Sequence, residues 1–236
     1  NDSPEVLNAL EEEMIEPLCR SLRRTSCSGA FVLLDATVNT RMEGAEHSRA
    51  GLYVQKSGAD TPTVPLLLYR GSADVGKTHS VTNGDQTDTI FDLMSQGKSF
   101  ADALRTRTFE PDGPNYTPRI SAVVYADGSY QMSILKSADG NGDSVQRYFF
   151  DYPQPVAGEG HFISTYKHNG NPIPSFEGEP LRFACPRTIG DFAHDMWSSL
   201  NLDNKVSLFA RVIDLDTGES GDMIFNKYDP VCSDLD

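Results

Sequence analysis

Two loops made almost wholly of Asn, Asp, Thr, Gly and Pro carry the residues best suited to chemistry: V-T-N-G-D-Q-T-D-T-I over 81–90 and F-E-P-D-G-P-N-Y-T-P-R-I over 109–120. Together they hold more side-chain hydrogen-bonding capacity than two ordinary turns require, so they read as opposite walls of a polar ligand site. Asn83, Asn115 and Thr117 can orient amide-like groups, and Arg119 can hold an anion through two parallel N–H bonds. Glu110 lies in sequence beside Phe109 and near Tyr116, surroundings that raise a carboxyl pKa and suit it to proton transfer. Tyr69 and Tyr166 fall at strand ends, where a phenol can donate to a ligand. Each residue also has a plainer role: Asn83-Gly84 as a hairpin turn, Asp85 and Asp88 as helix caps, Arg119 as a surface ion-pair partner, Tyr166 as half-buried packing.

The elements that must position these loops follow from local pattern. Ser3-Pro4 before Val6, Leu7, Leu10, Met14 and Leu18 predicts an N-terminal helix. Strands are expected over 30–38 and 64–69, and a helix over 87–96 closed by Gly97. A second short helix opens at Ser99, with Asp102 three residues on. Runs 120–125 and 130–136, joined by A-D-G-S, read as a hairpin. Further strands are expected over 147–152, 161–166, 206–215 and 223–227, and Ile189, Phe192, Met196, Trp197 and Leu200 mark an amphipathic helix. Hairpins with interspersed helices indicate an α+β architecture of antiparallel sheets covered by helices. The 236 residues, 38% hydrophobic, can bury a core of their own, and one domain is expected over 1–236 with an N-terminal helical extension over about 1–28.

Composition excludes several classes. A formal charge of −14 argues against nucleic acid as the main partner, because phosphate backbones are held by clustered Lys and Arg. Cys19, Cys27, Cys185 and Cys232 show no C-x-x-C spacing, so reduced thiols in a cytoplasmic protein are expected. The five His form no H-x-x-H or H-E-x-x-H group, so no metal is expected. His161, a lone histidine in G-E-G-H-F, is read as structural rather than as a general base. No apolar run is long enough for a membrane span, and no signal-peptide pattern opens the chain.

The two loops, with M-S-I-L-K-S (132–137), A-G-E-G-H-F-I-S-T-Y (157–166), N-P-I-P-S-F-E-G-E-P (171–180) and K-V-S-L-F-A-R-V-I-D-L-D-T-G-E (205–219), resemble the archaeal-type IMP cyclohydrolase family and its longer bacterial relatives. The resemblance implies a four-layer αββα sandwich of antiparallel sheets, similar to the N-terminal-nucleophile hydrolases. It also implies a reaction: closure of formyl-aminoimidazole-carboxamide ribonucleotide to inosine monophosphate with loss of water, in purine biosynthesis. The partner is then a small purine-pathway ribonucleotide, no cofactor is needed, and a homo-oligomer is expected because the resembling proteins form them. Carried over residue by residue, Tyr69, Glu110 and Arg119 are expected to be catalytic. Arg49, Asn83, Asp85, Thr87, Asp88, Asn115, Tyr116, Thr117 and Tyr166 are expected to bind substrate. Near Arg49, Gly44 and Gly51 stand where the resembling proteins carry arginines. That departure leaves open a paralogue with a retuned pocket performing cyclisation, amide or dehydration chemistry on another substrate, or a non-catalytic ligand-binding protein.

Overall fold

A computed structural model describes the backbone of residues 30–33, 40–41, 53–56 and 68–70, and residues 72–226 other than 169, 187, 203, 204 and 206. The expected N-terminal helix, Arg49, Cys19, Cys27 and Cys232 lie outside the described residues. The chain begins with the short strands β1 (Ala30–Leu33), β2 (Thr40–Arg41), β3 (Tyr53–Lys56) and β4 (Leu68–Arg70). Then come β5 (Ser72–Val75), β6 (Thr78–Thr82), helices α1 (Gln86–Ser95) and α2 (Phe100–Arg105), β7 (Arg119–Val124), β8 (Tyr130–Ala138) and β9 (Asn141–Tyr152). The described part closes with β10 (Glu159–Phe162), β11 (Leu181–Ala184), helix α3 (Ile189–Ser199), β12 (Ser207–Ile213) and β13 (Ser220–Asn226). The protein is thus mixed α and β with antiparallel sheets, in the orders β5-β6-β7-β8-β9, β1-β12-β13, β2-β3-β4 and β10-β11.

The five-stranded sheet is buried on both faces at its centre. Side chains alternate across a strand, and the register pairs Ile120 with Ile134 and Ser121 with Ser133. Ile120, Met132 and Ile134 therefore share one face, packed on Ile163 and Phe176. Val123 and Leu135 lie on the other, under Ile90, Phe100, Ala103 and Leu104 of α1 and α2. A second core joins Phe192, Ala193 and Met196 of α3 to Leu208, Ala210 and Phe225 of β12 and β13 and to Phe162 and Phe183 of the β10-β11 hairpin. Arg211 of β12 connects the two regions, gripping Asp222 at 2.7 and 2.8 Å and reaching Asp74 of β5 at 3.3 Å.

Where structure and sequence expectation differ, the reason is polarity. β5 and β6 carry A-D-V and T-H-S-V-T, too polar to read as strands. Their buried side chains are accommodated by internal bonds: Ser80 Oγ donates to the Ala73 carbonyl at 2.8 Å, and His79 Nδ1 lies 2.9 Å from Asp74. β9 begins at Asn141, six residues before the expected start, because Asp139 and Gly140 take φ of 55° and 70° and form a tight hairpin. Its polar first half is tolerated on a sheet edge. The expected 161–166 strand runs instead over 159–162, paired with β11, a strand the sequence reading missed.

Helix starts agree with expectation. Ser99 Oγ accepts from Asp102 N at 3.1 Å and donates to its carboxylate at 2.7 Å, and Thr188 does the same with Asp191 at 3.1 and 2.8 Å. No helix of the described residues is long and apolar enough to cross a membrane.

Two predictions follow from these contacts. Ser99→Ala and Thr188→Ala each lower unfolding free energy by about 1 kcal/mol, read from urea denaturation. Burial pushes the Asp74 carboxyl up, but His79 and Arg211 outweigh it and hold the pKa below its ordinary 3.8. The stability this group contributes is present above that value and is lost as pH falls through the folded-state pKa. Asp74→Asn should therefore flatten the acid limb of stability against pH below about 4.

Candidate functional site

The two loops meet because α1 starts directly after β6, and β7, which pairs with β6, starts directly after the second loop. Asn83 ties them together with its whole amide. Its Oδ1 accepts from Ile120 N at 2.9 Å and Gln86 Nε2 at 3.1 Å, while Nδ2 donates to the Pro118 carbonyl at 3.0 Å and Thr165 Oγ1 at 3.1 Å. All four of its side-chain valences are thus spent inside the protein, and Asn83 acts as a brace.

Gln86, fully buried, continues the brace. Its Nε2 also donates to the Ile120 carbonyl at 3.1 Å, and its Oε1 accepts from Arg119 Nη1 at 3.0 Å. Arg119 is only 8% exposed. Its Nη1 also binds the Asp85 carboxylate and lies 3.5 Å from Glu110 Oε1, while its Nε has no hydrogen-bond partner among the described residues. Asp85 Oδ1 is shared with Arg107 Nη2 at 2.6 Å. Burial raises the Asp85 pKa, but Arg107 and Arg119 more than reverse it and keep this carboxyl ionised below the ordinary range. Asp85 stands at the N-cap of α1 yet makes no side-chain cap bond; its carboxylate serves the arginines instead.

Gly84 is the close-approach point. A Cβ there would come 2.6 Å from Gln86 Oε1, 2.8 Å from Arg119 Nη1 and 3.3 Å from Glu110 Oε1. Next to it, Thr87 is buried, its hydroxyl 2.5 Å from that of Thr82 and 3.1 Å from the Gly84 carbonyl, so it closes the turn. Asp88 is exposed in the first turn of α1.

The second loop forms an adjoining cluster. Glu110 N donates to the Thr117 carbonyl at 3.0 Å, and the Thr117 hydroxyl lies 2.7 Å from the Tyr166 phenol and also bonds Asp112. Tyr166 is 4% exposed. Asn115 Oδ1 accepts from Ile173 N at 3.3 Å. Tyr116, with φ of 45°, sets its ring edge-on to Phe109 at 5.5 Å and leaves no room for a side chain at Gly142, where a Cβ would meet its hydroxyl at 2.7 Å.

The structure therefore brings together Asn83, Asp85, Glu110 and Arg119, with Asn115, Tyr116, Thr117 and Tyr166 beside them. Tyr69 is on β4, opposite Val54, in a strand that runs beside α1. His161 is elsewhere. It bonds the Tyr130 hydroxyl at 2.5 Å and stacks on Tyr152 at 4.1 Å, and burial lowers its pKa. Tyr130 is five residues along β8 from Leu135, the partner of Arg119, a separation of about 16 Å. Two residues of the cluster escaped the sequence reading, Gln86 and Arg107. Neither has a local signal, since their importance arises only from contact with Arg119 and Asp85. Among the described residues no group of three or more His, Cys, Asp or Glu could hold a metal ion.

Gly84→Ala should displace the carboxamide and guanidinium together, costing about 1 to 3 kcal/mol of stability by thermal unfolding. Asn83→Ala strands several backbone and side-chain partners at once, and a loss of about 2 to 3 kcal/mol in the same measurement is expected.

The family of IMP cyclohydrolase-like proteins matches residues 37–219. The IMP cyclohydrolase of Methanococcus maripaludis is 31% identical over 107 residues, which cover 44% of this chain and 48% of that protein. The matched stretch thus spans about half the length of that relative. Both loops, the Arg119 cluster and Tyr166 fall inside the family match, and the chain belongs to the IMP cyclohydrolase-like family.

Proposed function

We propose that the protein closes formyl-aminoimidazole-carboxamide ribonucleotide to inosine monophosphate with loss of water. The observation that carries this reading is the convergence on one buried guanidinium nitrogen, Arg119 Nη1, of Gln86 Oε1 at 3.0 Å, the Asp85 carboxylate and, at 3.5 Å, Glu110. The name of the Methanococcus maripaludis relative supports the same reaction.

Ring closure joins the carboxamide nitrogen to the formyl carbon. The formyl oxygen gathers negative charge and takes a proton, and the carboxamide nitrogen loses one. The resulting hydroxyl departs as water with the proton lost from the former formamide nitrogen as the C=N bond forms. Such a reaction needs orientation, a proton acceptor, and donors where charge develops. Glu110, with its side chain 40% exposed beside a fixed cation, is assigned the proton from nitrogen. Arg119 is assigned the fixed positive charge that positions Glu110 and holds the anionic part of the ligand, and Tyr69 the donation to the oxyanion and to the departing hydroxide. Asn115, Tyr116, Thr117 and Tyr166 form the wall for the heterocycle. Asp85, Thr87 and Asp88 line the start of α1, and Arg49, outside the described residues, is assigned to substrate binding by the family resemblance alone. Asn83, its amide already saturated, contributes by holding the loops in register.

The same reading extends to architecture: one domain, with the α1-α2 layer over the five-stranded sheet as one half of an αββα sandwich and β1-β12-β13 under α3 as the other. The packing of helices on one face of each sheet supports it. A cytoplasmic homo-oligomer follows by the same family analogy. A second reading, a paralogue acting on a different substrate, is favoured by Gly44 and Gly51, which stand where the resembling proteins carry arginines.

Formation of inosine monophosphate by the purified chain, followed by absorbance, tests the first reading. Glu110→Gln should lower kcat by about 100-fold or more with KM little changed, and Tyr69→Phe should lower it by about 10-fold or more. Turnover that survives Glu110→Gln intact would remove Glu110 from the mechanism, and absence of turnover alongside ribonucleotide binding would favour the second reading.

A further inference from the structure

The arrangement around Asp85 contains more than a positioning device. The chain carries −14 overall, yet two guanidinium groups converge on one carboxylate oxygen here. Arg107 and Arg119 share Asp85 Oδ1, and Arg147 of β9 clasps the Arg107 carbonyl through Nε at 3.3 Å and Nη2 at 2.8 Å. Among the described residues, Arg107 and Arg119 pair with the Asp85 carboxylate and, at 3.5 Å from Arg119, with that of Glu110.

Burial is graded in a telling order. The Arg119 side chain is 10% exposed, Arg107 28% and Asp85 58%. The cations are the inner, fixed layer: Arg119 is held by Gln86 Oε1, and the Arg107 backbone is held by Arg147. The anion is the outer, removable layer, and no cap bond to α1 restrains it. Meanwhile Arg119 Nε, buried beside this pair, still lacks a hydrogen-bond partner among the described residues. A carboxylate shared by two guanidinium groups has the shape and charge of an oxyanion ligand, and phosphate offers three such oxygens where Asp85 offers two.

We propose that Arg107 and Arg119 form a phosphate-binding site whose internal occupant is Asp85, displaced outward when a phosphomonoester binds. The reading of the cluster as a ribonucleotide site supplies only the identity of that phosphomonoester. Phosphate exchanges the single-oxygen bridge of Asp85 for separate oxygens on each guanidinium, and one of them can reach toward Arg119 Nε. Asp85 in turn makes the site selective, because weakly charged anions cannot compete with a tethered carboxylate.

Calorimetric titration with inorganic phosphate, at low ionic strength and neutral pH, tests the proposal. Asp85→Asn removes the internal competitor and should tighten phosphate binding by about ten-fold or more, the equivalent of one charge-assisted contact. Arg107→Met should weaken it by about ten-fold or more, with Arg107→Lys between that variant and the unmutated chain. Because the Asp85 side chain is largely exposed, Asp85→Ala provides a second variant of the same contact, and far-ultraviolet circular dichroism reports that each is folded. Phosphate binding that is no tighter in both Asp85 variants overturns the proposal. Competition distinguishes the source of the phosphate: displacement by inosine monophosphate but not by inosine supports a ribonucleotide 5′-phosphate, and failure of the nucleotide to compete overturns that assignment. Retained phosphate effects without cyclisation would count against the proposed reaction alone, whereas cyclisation without the Asp85 effect would count against the phosphate site alone.

Discussion

A guanidinium buried to 8% exposure is the constraint on which the rest of this site depends. Removing such a charge from water is costly unless counter-charges and acceptors surround it. Arg119 opens β7, so its position is set by strand pairing, and the partners must come to it. Asp85 and Gln86 do so because they begin α1 immediately after the strand that pairs with β7. Glu110 does so because the second loop folds back on itself through the Glu110 N to Thr117 O bond. Gly84 lacks a side chain because the cluster occupies the space where one would stand.

The surrounding fold keeps this arrangement in place by bonding most of the polar groups it buries. Asn83 is saturated by four partners, one three positions away and the others 35 to 82 positions away in sequence. β5 and β6 carry their Ser and His side chains on internal acceptors. The hydrophobic faces are conventional: Leu135 and Val123 under the helices, Ile120 and Ile134 on the opposite side. Those faces give the sheet its rigidity, and the polar edge beyond Arg119 uses it.

Charge links the fold to its proposed use. An acidic protein repels anions at long range, so recognition of an anionic ligand has to be local and strong. In the proposed site two arginines, Arg107 from the segment after α2 and Arg119 from β7, do this where α1 begins. Asp85 balances them in the absence of a ligand, and its exposure gives the site a route to solvent. The same cluster places a cation 3.5 Å from Glu110, so in the proposed function binding and reaction share one electrostatic centre.

Local sequence determined the elements that rest on short-range rules. Ser99 with an aspartate three residues on caps its helix as expected, the apolar stripe from Ile189 to Leu200 yields α3, and the apolar alternation of 120–125 and 130–136 yields β7 and β8 within a residue or two at their boundaries. The polarity of the two loops also marked them as the place to look. What it could not specify was which polar residue faces which. Asn83, expected as a ligand contact, spends its amide on four bonds inside the protein, while Gln86 and Arg107 carry no motif and reach Arg119 and Asp85 from 33 and 22 positions away in sequence. Hydrophobic periodicity and caps are encoded among adjacent residues, so they are legible in one dimension. A salt-bridged cluster is defined by distances between segments far apart in the chain, and those distances exist only once β6 and β7 have paired.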